Sequence, residues 1–259
     1  MEKKTLKAKL RACDNICGTH VSLPEPAITE LFGYAGYDFI WVDTEHSGID
    51  YIELLAHLGA ARMTGTPAIV RASSRNPEHV KRVLEMGPEG IIFPMINTPE
   101  EAKAAMDLCL YPPYGKRGFG PLRAAHYGRD DTNEYIKKSV DSLCRFIQIE
   151  SAEAVDNLPE LVKNPYIDGF IFGPCDLSGS IGELGDIFGA NTQALVERAV
   201  KIVRGAGKTM GVSLGPDDIE TKKFWFARGC NMISAGGDFD YLLRAAKRNR
   251  DQFYEVFGK

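Results

Sequence analysis

Two carboxylates close apolar runs in this chain. "CRFIQIES" (144–151) has the alternating, β-branched look of a buried strand and ends at Glu150; "GFIFGPCDLS" (169–178) reaches Asp176 in the same way. A converging pair of this kind suits a hard divalent cation, with water and substrate oxygens completing an octahedron. The plain alternative is that each acid caps the helix that follows it. In "WVDTEH" (41–46), Asp43 and His46 have the spacing of a carboxylate–imidazole dyad, the acid fixing the tautomer and the ring moving a proton. A strand-to-loop turn with a solvated histidine is the rival there. Arg71 follows "PAIV" and suits an anionic oxygen or an enolate; a surface ion pair fits less well after four apolar residues. His20, Glu45 and Asp238 stand at other strand exits. Paired acids also serve glycoside hydrolysis, but beyond Phe172 no aromatic platform accompanies these two.

Eight apolar runs carry these residues: 17–23, 39–45, 67–73, 90–96, 145–151, 169–175, 209–215 and 231–237. Helical periodicity separates them. Asn76 and Pro77 open a helix that ends near Gly87, and Thr98, Pro99 and Glu101 form a capping box. Ser151 starts a third helix that contains Pro159, a point of kinking or division. Residues 191–207 form the cleanest amphipathic helix and close on Gly205 and Gly207. Strands that alternate with helices pair in parallel. Eight such units in 259 residues predict a single (β/α)8 TIM barrel domain, with working residues at the C-terminal ends of its strands. A doubly wound sheet would show a Gly-rich phosphate turn after strand 1, and "SLPEPAITE" has none, so no nucleotide cofactor is expected.

Composition narrows the chemistry. A net charge of −4 with scattered basic residues argues against a nucleic-acid partner, and no apolar run is long enough for a membrane span. The basic N-terminus lacks an apolar h-region, and the six cysteines show no C-x-x-C pair; both predict a cytoplasmic protein with reduced thiols. No lysine falls within the eight runs, so a Schiff-base lysine is not expected. In "SLGPDD" and "SAGGDFD", Asp217 and Asp238 would repel a phosphate where many barrels bind one. The Gly- and Pro-rich segment 110–130 is too long for a simple connector and predicts a lid over the strand-4 side or an interface loop.

Taken in order, "WVDTEH", "VRAS", "YPPYGKRGFGP", "IQIES" and "GPCDLS" resemble the HpcH/HpaI aldolases from about residue 16 to the C-terminus. The resemblance implies a barrel of the phosphoenolpyruvate/pyruvate type, assembled as a homo-oligomer (a hexamer, or a trimer) with C-terminal helices exchanged between subunits. It implies reversible cleavage of a 4-hydroxy-2-oxo acid to pyruvate and an aldehyde, through an enolate held by Mg²⁺, Mn²⁺ or Co²⁺ on Glu150 and Asp176. Arg71 would stabilise the enolate oxygen, and His46, oriented by Asp43, would move the proton of the substrate hydroxyl. Gln148, Gly173, Pro174, Cys175 and Ser213 would bind substrate, the backbone N–H groups of Cys175 and Asp176 holding the pyruvate carboxylate. The chain departs from the family pattern at three places. Cys175 makes "GPCD" of the frequent "GPAD", His20 lies near the place of a strand-1 tryptophan, and Glu85 replaces an aspartate that reaches a neighbouring site. His20, Glu85 and Arg117 are thus expected in the acceptor pocket or at a subunit contact. A lyase of the citrate-lyase β-chain type acting on an acyl-CoA thioester would use the same two acids. An oxaloacetate decarboxylase would pass through the same enolate, and a non-catalytic dicarboxylate- or protein-binding barrel is the rival outside enzymes.

Overall fold

The computed structural model describes residues 4–215 and 218–258. Eight strands follow one another: β1 (Ile16–Val21), β2 (Phe39–Asp43), β3 (Ala68–Arg71), β4 (Gly90–Phe93), β5 (Cys144–Ile149), β6 (Gly169–Phe172), β7 (Thr209–Leu214) and β8 (Met232–Gly237). Each pairs in parallel with the next, and β8 pairs with β1, which closes the barrel. The helices between them are α1 (Leu6–Arg11), α2 (Pro26–Tyr34), α3 (Tyr51–Thr64), α4 (Pro77–Glu85), α5 (Pro99–Cys109), α6 (Thr132–Ser142), α7 (Ala152–Leu161), α8 (Pro174–Gly179), α9 (Ala190–Gly205), α10 (Ile219–Ala227) and α11 (Asp238–Phe257).

Local signals set these boundaries. Asn76 accepts from the Glu78 N–H at the start of α4. Thr98 and Glu101 close a capping box on α5, and Ser151 accepts from Ala154 N–H on α7. Pro159 does not divide α7, which runs through it. Two helices escape the sequence reading. α1 offers only Leu6 and Leu10, one turn apart, as its buried apolar face, and α6 is masked by the Gly/Pro-rich stretch before it.

Alternation along the strands divides the core into two layers. Phe39, Trp41, Ile69, Ile92, Phe146, Ile171 and Met232 fill the barrel interior, with Leu6 and Leu10 of α1 in the same cluster. Val42, Val70, Phe93, Ile147, Ile149, Phe170 and Val212 pack outward in the larger cluster with the helices. Gly18 makes room for this interior, since a Cβ there would lie 2.1 Å from the Phe39 ring. Carried one or two steps further, the alternation places His20, Asp43, Arg71, Gln148, Glu150, Ser213 and Ser234 on the inner face at the C-terminal mouth.

The segment 110–130 does not lie over the exit of β4. It leaves the C-terminus of α5 and returns through α6 to the start of β5, the opposite end of the barrel. Arg123, in a 3₁₀ turn (Arg123–Gly128), donates to the carbonyls of Met86 and, at 3.0 Å, of Leu58. Arg117 pairs with Glu85 at 3.2 Å. A lid over the active face is therefore the wrong reading of this loop.

Candidate active site

Arg71 is the hub of the mouth. The parallel register sets it beside Asp43 on the neighbouring strand. Its Nε donates to Asp43 Oδ1 at 2.9 Å and its Nη2 to Oδ2, a bidentate fork. Nη1 stands 3.2 Å from Glu45 Oε2, and the guanidinium lies 5.3 Å from the centroid of the Trp41 ring. Burial opposes ionisation of Asp43, but the Arg71 bonds and charge, with the backbone N–H groups of Glu45 and His46, outweigh it and hold the carboxyl below its ordinary range. Two of the five guanidinium N–H groups serve Asp43 and Nη1 also faces Glu45, which leaves one hydrogen on each of Nη1 and Nη2 for an anionic oxygen.

The expected Asp43–His46 dyad does not form. Asp43 is committed to Arg71 and reaches His46 only through the latter's backbone N–H, at 3.3 Å. The imidazole, 66% exposed, turns to Glu45 instead, with Nε2 3.7 Å from Oε2. Glu45 thus links Arg71 to His46. Burial raises its pKa, against the lowering effect of Arg71. Its place two residues after Asp43 on an alternating strand was the available signal for a role there.

Glu150, only 4% exposed, accepts from Met95 N–H at 2.8 Å and from Gln148 Nε2 at 2.8 Å. Met95 holds a left-handed backbone (φ 51°) to aim that N–H, a contribution not read from the sequence. The loops after β4 and β5 are also tied by Ser151 Oγ to Asn97 Oδ1 at 2.6 Å. Burial first, then the charges of Asp176 and Glu45, push Glu150 up to about 7 despite the Met95 bond. Gly173 matters here: a Cβ would sit 2.5 Å from Glu150 Oε1. Pro174 opens α8 with no side-chain cap on its first turn, and Cys175 and Asp176 lie exposed in that turn.

A hard cation fits these residues. Glu150 is a buried carboxylate whose ionisation the neighbouring acids oppose, and Gln148 Oε1 is a buried acceptor without a donor. The available donors are oxygens, which matches Mg²⁺ or Mn²⁺. Among the described residues no group of three or more His, Cys, Asp or Glu forms a closed cage. An ion would retain water and substrate positions, as a catalytic site requires.

On the far side of Arg71, His20 bridges two hydroxyls, Nε2 to Ser213 Oγ and Nδ1 to Ser234 Oγ, each at 3.0 Å. Its ring lies 4.8 Å from that of Trp41. Burial and the Arg71 charge lower its pKa to about 4, so the imidazole is neutral at pH 7. His20, Asp43, His46, Arg71 and Ser213 line one cavity of about 220 Å³. Glu85 and Arg117 do not belong to it; they pair beneath the opposite end of the barrel, so their expected place in this chain's own acceptor pocket is corrected. Asp238 is structural, accepting the N–H groups of Ser22 and Leu23 at 2.8 Å each. Asp217 lies outside the described residues. Larger cavities of about 770 and 600 Å³ open beneath α1 and beside α4, away from the strand exits.

A closed parallel barrel with acids, an arginine and a neutral histidine gathered at its C-terminal mouth has the layout of a barrel enzyme. The family model for HpcH/HpaI aldolase/citrate lyase matches residues 17–245, and the chain belongs to that family, whose aldolase members are carbon–carbon lyases. It is 31% identical to a hydroxypyruvate/pyruvate aldolase of Roseovarius nubinhibens over 94% of each chain. It is also 31% identical to a 4-hydroxy-2-oxo-heptane-1,7-dioate aldolase of Shigella sonnei, over 95% of this chain and 93% of the other. An HpcH/HpaI aldolase/citrate lyase family protein from Burkholderia cenocepacia superposes with a TM-score of 0.91 at 30% identity, covering 97% of this chain and 99% of that one.

Proposed function

We propose that this protein is a divalent-metal-dependent pyruvate aldolase that reversibly cleaves a 4-hydroxy-2-oxo acid to pyruvate and an aldehyde. The observation that carries the reading is the placement of Arg71, locked by Asp43, at the same barrel mouth as the buried acid Glu150, on which its charge acts. Glu150 and Asp176 would hold the ion, and Mg²⁺, Mn²⁺ or Co²⁺ would supply Lewis acidity to the 2-oxo group. The chain's own residues do the rest. Arg71 directs its spare N–H groups at the oxyanion that develops on C2. His46, steadied by Glu45, takes the proton from the C4 hydroxyl as the C3–C4 bond breaks. The bond electrons pass to C2–C3 as an enolate, the aldehyde leaves, and a proton added at C3 gives pyruvate. Gln148, Gly173, Pro174, Cys175 and Ser213 bind the keto acid, with the first turn of α8 facing its carboxylate.

The same reading makes the protein a cytoplasmic homo-oligomer. Among the described residues no helix is long and apolar enough to cross a membrane. α11 exposes Phe239, Leu242, Leu243, Phe253, Val256 and Phe257, the apolar face expected of a helix exchanged between subunits; only Asp238 in it is buried. Light scattering should return a mass of at least three chains, and a monomer at micromolar concentration would exclude exchange.

A coupled assay of pyruvate release tests the activity. A 4-hydroxy-2-oxo acid should be cleaved with Mg²⁺ or Mn²⁺ and spared after chelation. Turnover confined to an acyl-CoA thioester would move the protein to the citrate-lyase β-chain type, and cleavage untouched by chelation would exclude the metal.

A further inference from the structure

The N-terminal end of the barrel, opposite the strand exits, holds a cavity of about 290 Å³. Four cations line it: Lys7 and Arg11 of α1, Arg145 at the start of β5, and Lys208 just before β7. Two acids accompany them among the described lining residues, Asp141 and Asp168. Asp168 pairs with Lys7 at 2.6 Å, where both side chains are nearly buried, and Asp141 pairs with Arg11 at 2.6 Å on the exposed rim. Those two pairs commit the acids. Arg145, only 1% exposed, has no carboxylate partner among the described residues. Its Nη2 donates to the carbonyls of Ser139 and Val140 at 3.3 and 2.7 Å, and its Nε is buried with no acceptor. Lys208, half-buried, donates to the carbonyls of Asn164 and Ile167 at 2.8 and 2.5 Å.

These carbonyls account for the hydrogen bonds of Arg145 and Lys208 but not for their charge. A neutral amide or hydroxyl would cap the same carbonyls without the cost of desolvating a cation. That cost acts on both lysines. Burial lowers the pKa of Lys7 and of Lys208; Asp168 counters it, and the cations push one another further down, Arg145 acting on Lys7 and Lys7 on Lys208.

We propose that this cavity is a binding site for a phosphoryl dianion, either inorganic phosphate or the phosphate end of a small ester. It is separate from the aldolase centre and independent of that reading, since none of its residues lines the barrel mouth. An excess of two positive charges matches a group that carries about −1.5 to −2 at pH 7 and presents several strong acceptor oxygens. The guanidinium groups of Arg145 and Arg11 suit such an oxyanion, the lone Nε of Arg145 gains an acceptor, and Lys208 adds a point charge. A volume of about 290 Å³ has room for roughly nine waters at about 30 Å³ each, more than a bare phosphate fills, which leaves space for about three carbons of an ester. Tyr166, whose ring lies 6.0 Å from the Arg145 guanidinium, walls that remaining space.

The test is calorimetric titration of the full chain with inorganic phosphate and with glycerol 3-phosphate, each in Mg²⁺ and again in EDTA, because a metal at the barrel mouth is the rival location for a phosphate. Both anions should bind saturably, at one site per chain and with the same affinity in the two conditions, and glycerol should not bind. Lys208→Met should weaken phosphate by about tenfold, the worth of one hydrogen bond to a charged group. Arg11 has a 61% exposed side chain, so Arg11→Glu tests the same charge without disturbing packing, and it should also weaken binding with circular dichroism unchanged. Glycerol 3-phosphate binding more tightly than phosphate supports the site with an ester as its ligand; equal or weaker binding supports it with free phosphate. Binding that requires Mg²⁺, an affinity indifferent to both substitutions, or no saturable heat overturns the inference.

Discussion

Glu150→Gln should make the metal-free protein more stable while removing its activity. Burial and the charges of Asp176 and Glu45 raise the carboxyl from its ordinary 4.5 to about 7. At about 1.4 kcal/mol per tenfold change in proton affinity, ionising Glu150 in the folded chain costs about 3 kcal/mol. Because the pKa of an acid is raised, the folded state binds more protons than the unfolded state between these two values. Stability therefore falls as pH rises from about 4.5 to about 7, and the full deficit is present above that window. A neutral glutamine removes the deficit. Its oxygen can still accept from Met95 N–H, and once the Gln148 amide, whose Nε2 faces Glu150 in the parent, turns over, the new amide can donate to Gln148 Oε1. At pH 8 in EDTA, Glu150→Gln should melt roughly 5–10 °C above the parent, given about 2–4 °C per kcal/mol for domains near this size. The gap should close toward pH 4.5. Mn²⁺ should raise the melting temperature of the parent by mass action and leave the variant unmoved. A variant less stable than the parent at pH 8, or a gap that does not change with pH, refutes the claim that ionised Glu150 destabilises the metal-free fold.

Other changes probe the supports of the site. Asp43→Asn removes one arm of the fork that fixes Arg71 and should lower kcat by on the order of 100-fold, as small displacements of a catalytic group do, with circular dichroism unchanged. Gly173→Ala places a methyl 2.5 Å from Glu150 Oε1 and must push that side chain aside; Mn²⁺ affinity, read by electron paramagnetic resonance titration, should weaken by about 10- to 100-fold.

The barrel was legible because its signals are local and repeated: eight β-rich runs, helix caps at Asn76, Thr98 and Ser151, and charges at the strand exits. The partners of those charges were not. Asp43 lies three residues from His46 in the chain, and a dyad is the natural reading of that spacing. The parallel register instead delivers Arg71 from 28 residues away, and the carboxylate forks onto it. Pairing across strands is a non-local property that no residue spacing encodes. Met95 was hidden for a related reason, since it contributes a backbone N–H and no side-chain chemistry. The segment 110–130 was misplaced because its composition suggests a lid, whereas the position of α5 and β5 in the chain order puts both its ends at the far side of the barrel.

The central claim is that Arg71 and the Glu150–Asp176 pair generate a pyruvate enolate. Exchange of the pyruvate methyl protons in D₂O, followed by NMR, reads that step directly and requires no knowledge of the aldehyde. Exchange should occur with Mg²⁺ or Mn²⁺, stop on chelation and collapse in Arg71→Ala. Exchange that persists without metal, or that Arg71→Ala leaves intact, would contradict it.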